Sequence, residues 1–273
     1  MYDIQSIADT LNKIRQKTPL IHNITNIVAS NYTANALLSL GASPAMINAE
    51  EEVSEFVLKA NALVINLGTL TKAQAHSMKM ASLTASCHRI PWVLDPVGVG
   101  ASNFRSTIAL ELVQNQPNAI RGNASEILTL YHICYNQTLG SSGRGVDSLD
   151  EPEHALNAAK DLATSYQTIV SISGKTDYIT DGKKTISVHN GHNLMPKITG
   201  SGCSATAITA ACLSVEEDTL AACAHAMVIM GLAGELASHY CKGPGSLQMA
   251  LLDELYCLTE EKLIHNAKIQ FVE

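Results

Sequence analysis

The sequence predicts an α/β fold built on a central, mostly parallel sheet flanked by helices on both faces. Three observations predict it. Short runs that are apolar throughout recur along the chain, among them "ALVINLG" (62–68), "PWVLDPV" (91–97) and "TIVSISG" (168–174). A strand buried on both faces reads as such a run, whereas a half-exposed strand alternates. Segments with helical spacing separate the runs, and each run ends in or near Gly, Asn, Asp or Pro, residues that turn the chain.

The elements follow in order. "PLIHNI" (19–24) reads as the first strand, with helix-like stretches over 25–40 and 50–60 before the strand at 62–68. Thr71 stands as a cap before "KAQAHSM", opening a helix over 71–87 that leads to the strand at 91–97. Helix-like 104–115, the strand "NAIRGN" (118–123), and helix-like 124–132 and 152–165 bring the chain to 168–174. "DYITDGKKTISVHNG" (177–191) breaks the pattern, because two short strands around Asp181-Gly182 make a hairpin. Helices over 200–213, 219–239 and 246–265 complete the chain. No linker, repeat or low-complexity tract divides residues 1–273, so a single domain is the economical organisation.

Composition narrows the function classes. A formal charge of −7 argues against a nucleic-acid binder, which needs a basic stripe to displace counterions. Seven cysteines without a C-x-x-C or a zinc-like Cys/His spacing point to reduced thiols and the cytoplasm. Cys212 and Cys223 lie in apolar helical runs and are expected as small core residues. The apolar stretch 219–237 contains His225 and Glu235, so a buried helix is expected rather than a membrane span, with His225 a satisfied core residue. The N-terminal "MYDIQSIADTLNKIRQ" lacks the apolar core of a signal peptide. Neither a membrane nor a nucleic-acid partner is expected.

Ligands of open α/β sheets gather outside the carboxyl ends of the strands. That rule singles out His22 and Asn23, Asn66 and Gly68, Asp95, Arg121 to Asn123, and Ser173 to Lys175. "ITGSGCSAT" (198–206) adds two glycines at a helix start, where free N–H groups suit an anion, although tight helix packing would also use them. "GSGCSA" fits G-x-G-x-x-A only formally, since it opens the helical C-terminal third instead of a first βα turn. "SGKT" (173–176) has Ile169 where a phosphate loop needs its first glycine. Asp95 ends a strand, and Asn123 and Glu126 share a helix's first turn. The last two form either a capping pair or, with Asp95, a Mg²⁺ site. Cys203 behind the glycines is a candidate nucleophile, because a helix N-terminus lowers a thiol pKa. A cysteine hydrolase would also need a histidine partner in space. His189 and His192 flank "NG" in a hairpin-like loop and add little.

"NITNIVASNYTANALLSLGASPAM" (23–46), "NLGTL" (66–70), "LDPVGVGAS" (94–102), "IRGNASEI" (120–127), "ITGSGC" (198–203) and "KGPGS" (242–246) occur together in this order. The set closely resembles the hydroxyethylthiazole kinase family of the ribokinase-like superfamily, over nearly the whole chain. The resemblance implies a ribokinase-like fold and transfer of the ATP γ-phosphate, with Mg²⁺, to the primary alcohol of hydroxyethylthiazole in thiamine biosynthesis. It implies that Asp95 and Glu126 hold the metal with Asn123 beside them, and that Arg121 and Ser173 contact nucleotide. Met46 and Gly200 would contact the thiazole, with Asn23, Thr25 and Asn26 near its pocket. The N–H groups of Gly200 to Cys203, Gly202 included, would form an anion hole for the phosphoryl group. Cys203 stands where many superfamily members carry aspartate, so it would position the alcohol or act as a weak base without covalent catalysis. The family's homotrimers, with interfacial active sites, would let Met46 serve a neighbour's site. A kinase for hydroxymethylpyrimidine or pyridoxal is the alternative, and the 23–46 block is what discriminates between them. A non-catalytic binding protein would not need Asp95, Glu126 and the glycine turn together. "SSGRGVDS" (141–148) corresponds to a "KGVD"-like family segment, with Arg144 a substitute basic residue or simply exposed.

Overall fold

A computed structural model describes residues 2–136 and 152–272. Its apolar runs become strands of one sheet: β1 (Leu20–Ile24), β2 (Ser43–Ala45), β3 (Ala62–Asn66), β4 (Trp92–Asp95), β5 (Ala119–Asn123), β6 (Ile169–Ser173), β7 (Asp177–Thr180), β8 (Thr185–Val188) and β9 (Ile269–Val272). The order is β2-β1-β3-β4-β5-β6-β7-β8-β9. Every pair up to β5–β6 is parallel, and β6–β7, β7–β8 and β8–β9 are antiparallel. The helices are α1 (Gln5–Lys17), α2 (Ser30–Leu40), α3 (Val53–Val57), α4 (Lys72–Cys87), α5 (Asn103–Gln114), α6 (Ala124–Asn136), α7 (Pro152–Tyr166), α8 (Ser201–Leu213), α9 (Thr219–Ser238), α10 (Pro244–Cys257) and α11 (Glu260–Asn266).

Strand pleating divides the core in two. Ala62 and Val64 of β3 face α2, α8 and α9, whereas Leu63 and Ile65 face α4 to α7. Each fully buried Ile or Leu is worth about 1.5–3 kcal/mol over an exposed one, which fixes the register of strands sandwiched this way. α9 is long and apolar enough to cross a membrane by length and composition. Here it packs on α8, α10 and β6 to β8, with Cys223 and His225 buried inside the fold as expected. Thr71 caps α4 as anticipated: its Oγ1 accepts from Gln74 N (3.2 Å), and Gln74 Oε1 accepts from Thr71 N (3.1 Å).

Several boundaries differ from the sequence reading. α2 begins at Ser30 rather than 25, because residues 26–29 form a turn in which Asn26 Oδ1 accepts from Ala29 N (2.8 Å). The stretch 246–265 is two helices, α10 and α11, separated where Leu258 turns extended and Thr259 Oγ1 accepts from Lys262 N (3.2 Å). α1, β2 and β9 were not anticipated; α1 had a legible signal in Ile7, Leu11 and Ile14, spaced for one helix face. The segment 141–148, with Arg144, lies outside the described residues.

α1 is tied to α9 through His225. Tyr2 Oη and Ser6 Oγ lie 2.9 and 3.1 Å from its Nε2, and Thr10 Oγ1 lies 2.8 Å from Nδ1. Burial pushes this imidazole down from 6.5 to about 4. Between those values the unfolded chain binds a proton that the folded one refuses, so the contribution is complete above pH 6.5 and is lost as pH falls towards 4. Urea unfolding at pH 7 and pH 5 is expected to show about 2 kcal/mol of this loss in the wild type and its absence in folded His225→Asn. Equal pH dependence in both proteins would remove His225 from the account.

Candidate active site

β1 lies between β2 and β3, so the chain leaves β1 to one side and returns on the other. Such a reversal opens a crevice at the carboxyl ends of β1 and β3. Asn26 follows β1, Asn66 ends β3 and Asp95 ends β4, while the N-terminus of α8 packs in from the C-terminal third.

These groups form one buried network. Asn26 Nδ2 donates to Asn66 Oδ1 (2.9 Å) and lies 3.3 Å from Cys203 Sγ. Asn66 Nδ2 donates to Asp95 Oδ2 (2.7 Å) and lies 3.3 Å from the same sulfur. Thr206 Oγ1 also donates to Asp95 Oδ2 (2.7 Å), leaving Oδ1 without a donor among the described residues. A Cβ at Gly68 would fall 2.7 Å from Asn26 Cβ, so glycine is what lets the β3–α4 loop sit against Asn26. Ile27 N donates to Thr69 Oγ1 (3.2 Å) and holds the two loops together.

The electrostatics follow from burial. Asp95 is pushed up to about 6 by desolvation, with Arg121 opposing and Glu126 reinforcing the shift. Burial, and next the Asp95 charge, push the Cys203 thiol up. That direction opposes the lowering expected at a helix N-terminus, because the sulfur is desolvated beside a carboxylate. Among the described residues no histidine hydrogen-bonds to Sγ; the amides of Asn26 and Asn66 do. The hydrolase reading is disfavoured, since burial acts against a thiolate and the amides occupy the place a histidine would take.

Gly200 begins α8 in the left-handed region (φ +86°), and a Cβ there would lie 3.1 Å from Ala29 Cβ. Of the expected anion hole, Ser201 N is taken by Ile198 O (3.2 Å), and the N–H groups of Gly200, Gly202 and Cys203 have no acceptor among the described residues. On the far side of that turn lies a cleft of about 840 Å³ lined by Arg121, Asn123, Ser173, Gly202, the loop 189–196 and α9. Arg121 Nη1 donates to Gly202 O (3.0 Å), while its buried Nε has no partner among the described residues. The cleft also contains Asp177, whose carboxyl burial raises to about 6 and whose Oδ1 accepts from Gly174 N (2.9 Å).

Asn123 and Glu126 form the capping pair: Glu126 N donates to Asn123 Oδ1 and Asn123 N to Glu126 Oε2, each at 2.9 Å. Glu126 Oε1 also accepts from Gly98 N (3.1 Å), joining the β4 and β5 loops. A carboxylate with a free Oδ1 and a second one close enough to raise its pKa fit Mg²⁺, which completes its shell with water and phosphate oxygens. No cluster of three or more metal-type side chains exists among the described residues, so the two acids alone could not enclose an ion.

Met46, just past β2, is half-buried beside Ile47, whose carbonyl lies 2.9 Å from His22 Nε2. Asn23 is buried with Nδ2 donating to Ile21 O (2.8 Å), and Asn23 Oδ1 and Thr25 Oγ1 are unpartnered. Thus Asn26, Asp95 and Cys203 share one bonded network, while Gly202, Arg121, Asn123 and Ser173 line the cleft beside it, and among the described residues no hydrogen bond joins Met46 or Asn23 to that network. Sequence reasoning missed Thr206 and Asp177. Thr206 lies one turn beyond Cys203, a spacing that could have marked it as part of the same helix face.

The hydroxyethylthiazole kinase family model matches residues 11–261. The chain belongs to the hydroxyethylthiazole kinase family. A hydroxyethylthiazole kinase from Granulibacter bethesdensis is 48% identical over 248 residues, covering 91% of this chain and 88% of that protein. The solved structure of hydroxyethylthiazole kinase protein from Pyrococcus horikoshii OT3 superposes with a TM-score of 0.89 at 39% identity, covering 98% of this chain and all of that one. A pyridoxal kinase from Staphylococcus aureus, solved in complex with pyridoxal, shares the fold at 15% identity (TM-score 0.66, 93% and 98% covered). The fold is ribokinase-like α/β, and the chain is a kinase.

Asp95 sets a stability cost against its role. Its folded pKa lies above the unfolded value of 3.8, so stability is lost as pH rises through 3.8 to about 6 and the loss is complete at pH 7. Asp95→Asn is expected to stabilise the ligand-free protein at pH 7 by roughly 1–3 kcal/mol in urea unfolding, while kinase activity drops about 100-fold or more. A destabilised Asn variant would mean that the carboxylate is needed to hold the network.

Proposed function

We propose that this kinase transfers the γ-phosphate of Mg-ATP to the primary alcohol of hydroxyethylthiazole, supplying thiazole phosphate for thiamine biosynthesis. One observation carries the reading: the first turn of α8 joins the Asn26–Asn66–Cys203 network to the cleft that Gly202 lines. On one side Cys203 Sγ meets Asn26 and Asn66; on the other Gly202 faces the Arg121–Ser173 cleft. An alcohol held on the first side and a triphosphate on the second would meet at the free N–H groups of Gly202 and Cys203. Preorganised donors there stabilise the charge of the transferring group, with Arg121 adding a positive charge beside them. Mg²⁺, when bound, supplies charge neutralisation of the phosphate oxygens, and Asp95 and Glu126 are the residues that would hold it.

The transfer forms a bond between the alcohol oxygen and the γ-phosphorus and breaks the bond from that phosphorus to the β–γ bridging oxygen. A largely dissociative transition state asks little of a base. The raised thiol pKa supports Cys203 as a neutral positioning group that holds the alcohol beside Asn26 and Asn66. Met46, Gly200, Asn23 and Thr25 complete the proposed thiazole pocket. Exposed Ile27, Val28, Leu38 and Met249 support a homotrimer that covers apolar surface next to this pocket, with Met46 serving the neighbour's site. Light scattering is expected to give the mass of three chains, and a monomer mass would remove the shared site.

The test is coupled ADP release with Mg-ATP and either hydroxyethylthiazole or hydroxymethylpyrimidine at matched concentration. ADP is expected with the thiazole only; ADP with the pyrimidine only would keep the phosphate site and overturn the substrate. In the same assay Cys203→Ser is expected to lose less than about tenfold in kcat, since removing a true general base costs about 10²–10⁴. A loss in that larger range from folded protein would make the thiol a base after all.

A further inference from the structure

One wall of the nucleotide-side cleft is the segment 189–196 between β8 and α8, which runs into a short 3-10 turn over Met195–Lys197. Its own backbone bonds, such as Met195 N to His192 O (3.0 Å), hold only its second half, yet it contributes His189, Asn190, Gly191, His192 and Asn193 to the lining in an unbroken row. Its anchor is Asn190, which is buried and bonds with both ends of its amide. Nδ2 donates to Glu235 Oε2 (3.1 Å) on α9 and to Asn266 O (2.9 Å), and Oδ1 accepts from Lys268 N (2.8 Å). The same Glu235 Oε2 receives Gly191 N at 3.5 Å, and His189 N donates to Lys268 O (2.8 Å). The segment lies directly on a notch in α9. A Cβ at Gly231 would fall 2.6 Å from Asn190 O, and one at Gly234 would fall 2.4 Å from Met195 Sδ.

Resting on the reading that this cleft takes ATP, we propose that Asn190, Glu235 and the Gly231 notch form a positioning clamp that sets nucleotide affinity. Glu235 does not line the cleft; it acts through Asn190 and Gly191, and through its ion pair with Lys268, whose backbone bonds Asn190 and His189. An amide oxygen in its place could still accept from Asn190 and Gly191, though without the charge, and the Lys268 ion pair would be lost. The notch works by distance, because at Gly231 the obstacle is backbone, which cannot swing aside as a methionine tip can. Neither part touches Asn26, Asn66 or Cys203, so the clamp separates nucleotide binding from alcohol binding.

The experiment is calorimetric titration of the full-length protein with Mg-ATP, alongside the KM for hydroxyethylthiazole, in wild type, Asn190→Ala, Gly231→Ala, Glu235→Ala and Glu235→Gln. The Kd for ATP is expected to rise about tenfold in Asn190→Ala, Gly231→Ala and Glu235→Ala, with the thiazole KM within about twofold of wild type. Glu235→Gln, which keeps the acceptor for Asn190 but not the Lys268 ion pair, is expected to recover part of the loss seen in Glu235→Ala. Gly231→Ala is the sharper variant, since alanine favours the helix by about 1 kcal/mol and so should not weaken α9 itself. Wild-type affinity in folded Asn190→Ala and Gly231→Ala would overturn the clamp while leaving the ATP reading intact. So would a parallel rise in thiazole KM, or a Glu235→Gln protein as weak as Glu235→Ala. Wild-type protein that binds no ATP would overturn both.

Discussion

A buried carboxylate organises this site. Asp95 ends β4 with almost no water contact, and a charge in that place persists only where donors reach it. Both donors, Asn66 from β3 and Thr206 from α8, come to one oxygen and leave the other free. That asymmetry anchors the first turn of α8 to the sheet and leaves Oδ1 without a donor among the described residues. The neutral thiol of Cys203 follows from the same charge, since desolvation and Asp95 act in one direction on it.

Close approach is the second constraint. Asn26 can meet Asn66 and Cys203 only because Gly68 offers no side chain, and α8 can start beside Ala29 only because Gly200 accepts a positive φ. The helix that results has no side-chain cap, which leaves N–H groups for a ligand at the cost of intrinsic helix stability. Side-chain capping appears elsewhere, at Thr71 on α4 and, within the site itself, in the Asn123–Glu126 pair that opens α6.

Two buried groups away from one another titrate in opposite senses. His225 refuses a proton that the unfolded chain would take, while Asp95 holds one that the unfolded chain would release. The histidine is a packing device, caged by Tyr2, Ser6 and Thr10 so that α1 stays on α9. The aspartate is costly at neutral pH, because burial disfavours its charged form.

Much of the architecture is legible in the sequence, because period and composition are local. Apolar runs such as 62–68 mark the doubly covered strands, Asp181-Gly182 marks the hairpin, and Thr71 marks a helix start. Asp95, Asn123, Glu126 and Cys203 could be singled out because each sits at a strand end or helix start, and family resemblance assigned them roles. Thr206 and Asp177 went unread, as did the grip of Asn190 on Glu235 and Lys268, because their partners lie far along the chain. The direction of the Cys203 shift was likewise beyond reach: a helix N-terminus argues for lowering, and only the burial of the sulfur beside Asp95 reverses it. Local spacing determined which residues this protein could use; desolvation and long-range contact, which exist only once the chain is packed, decided what those residues are.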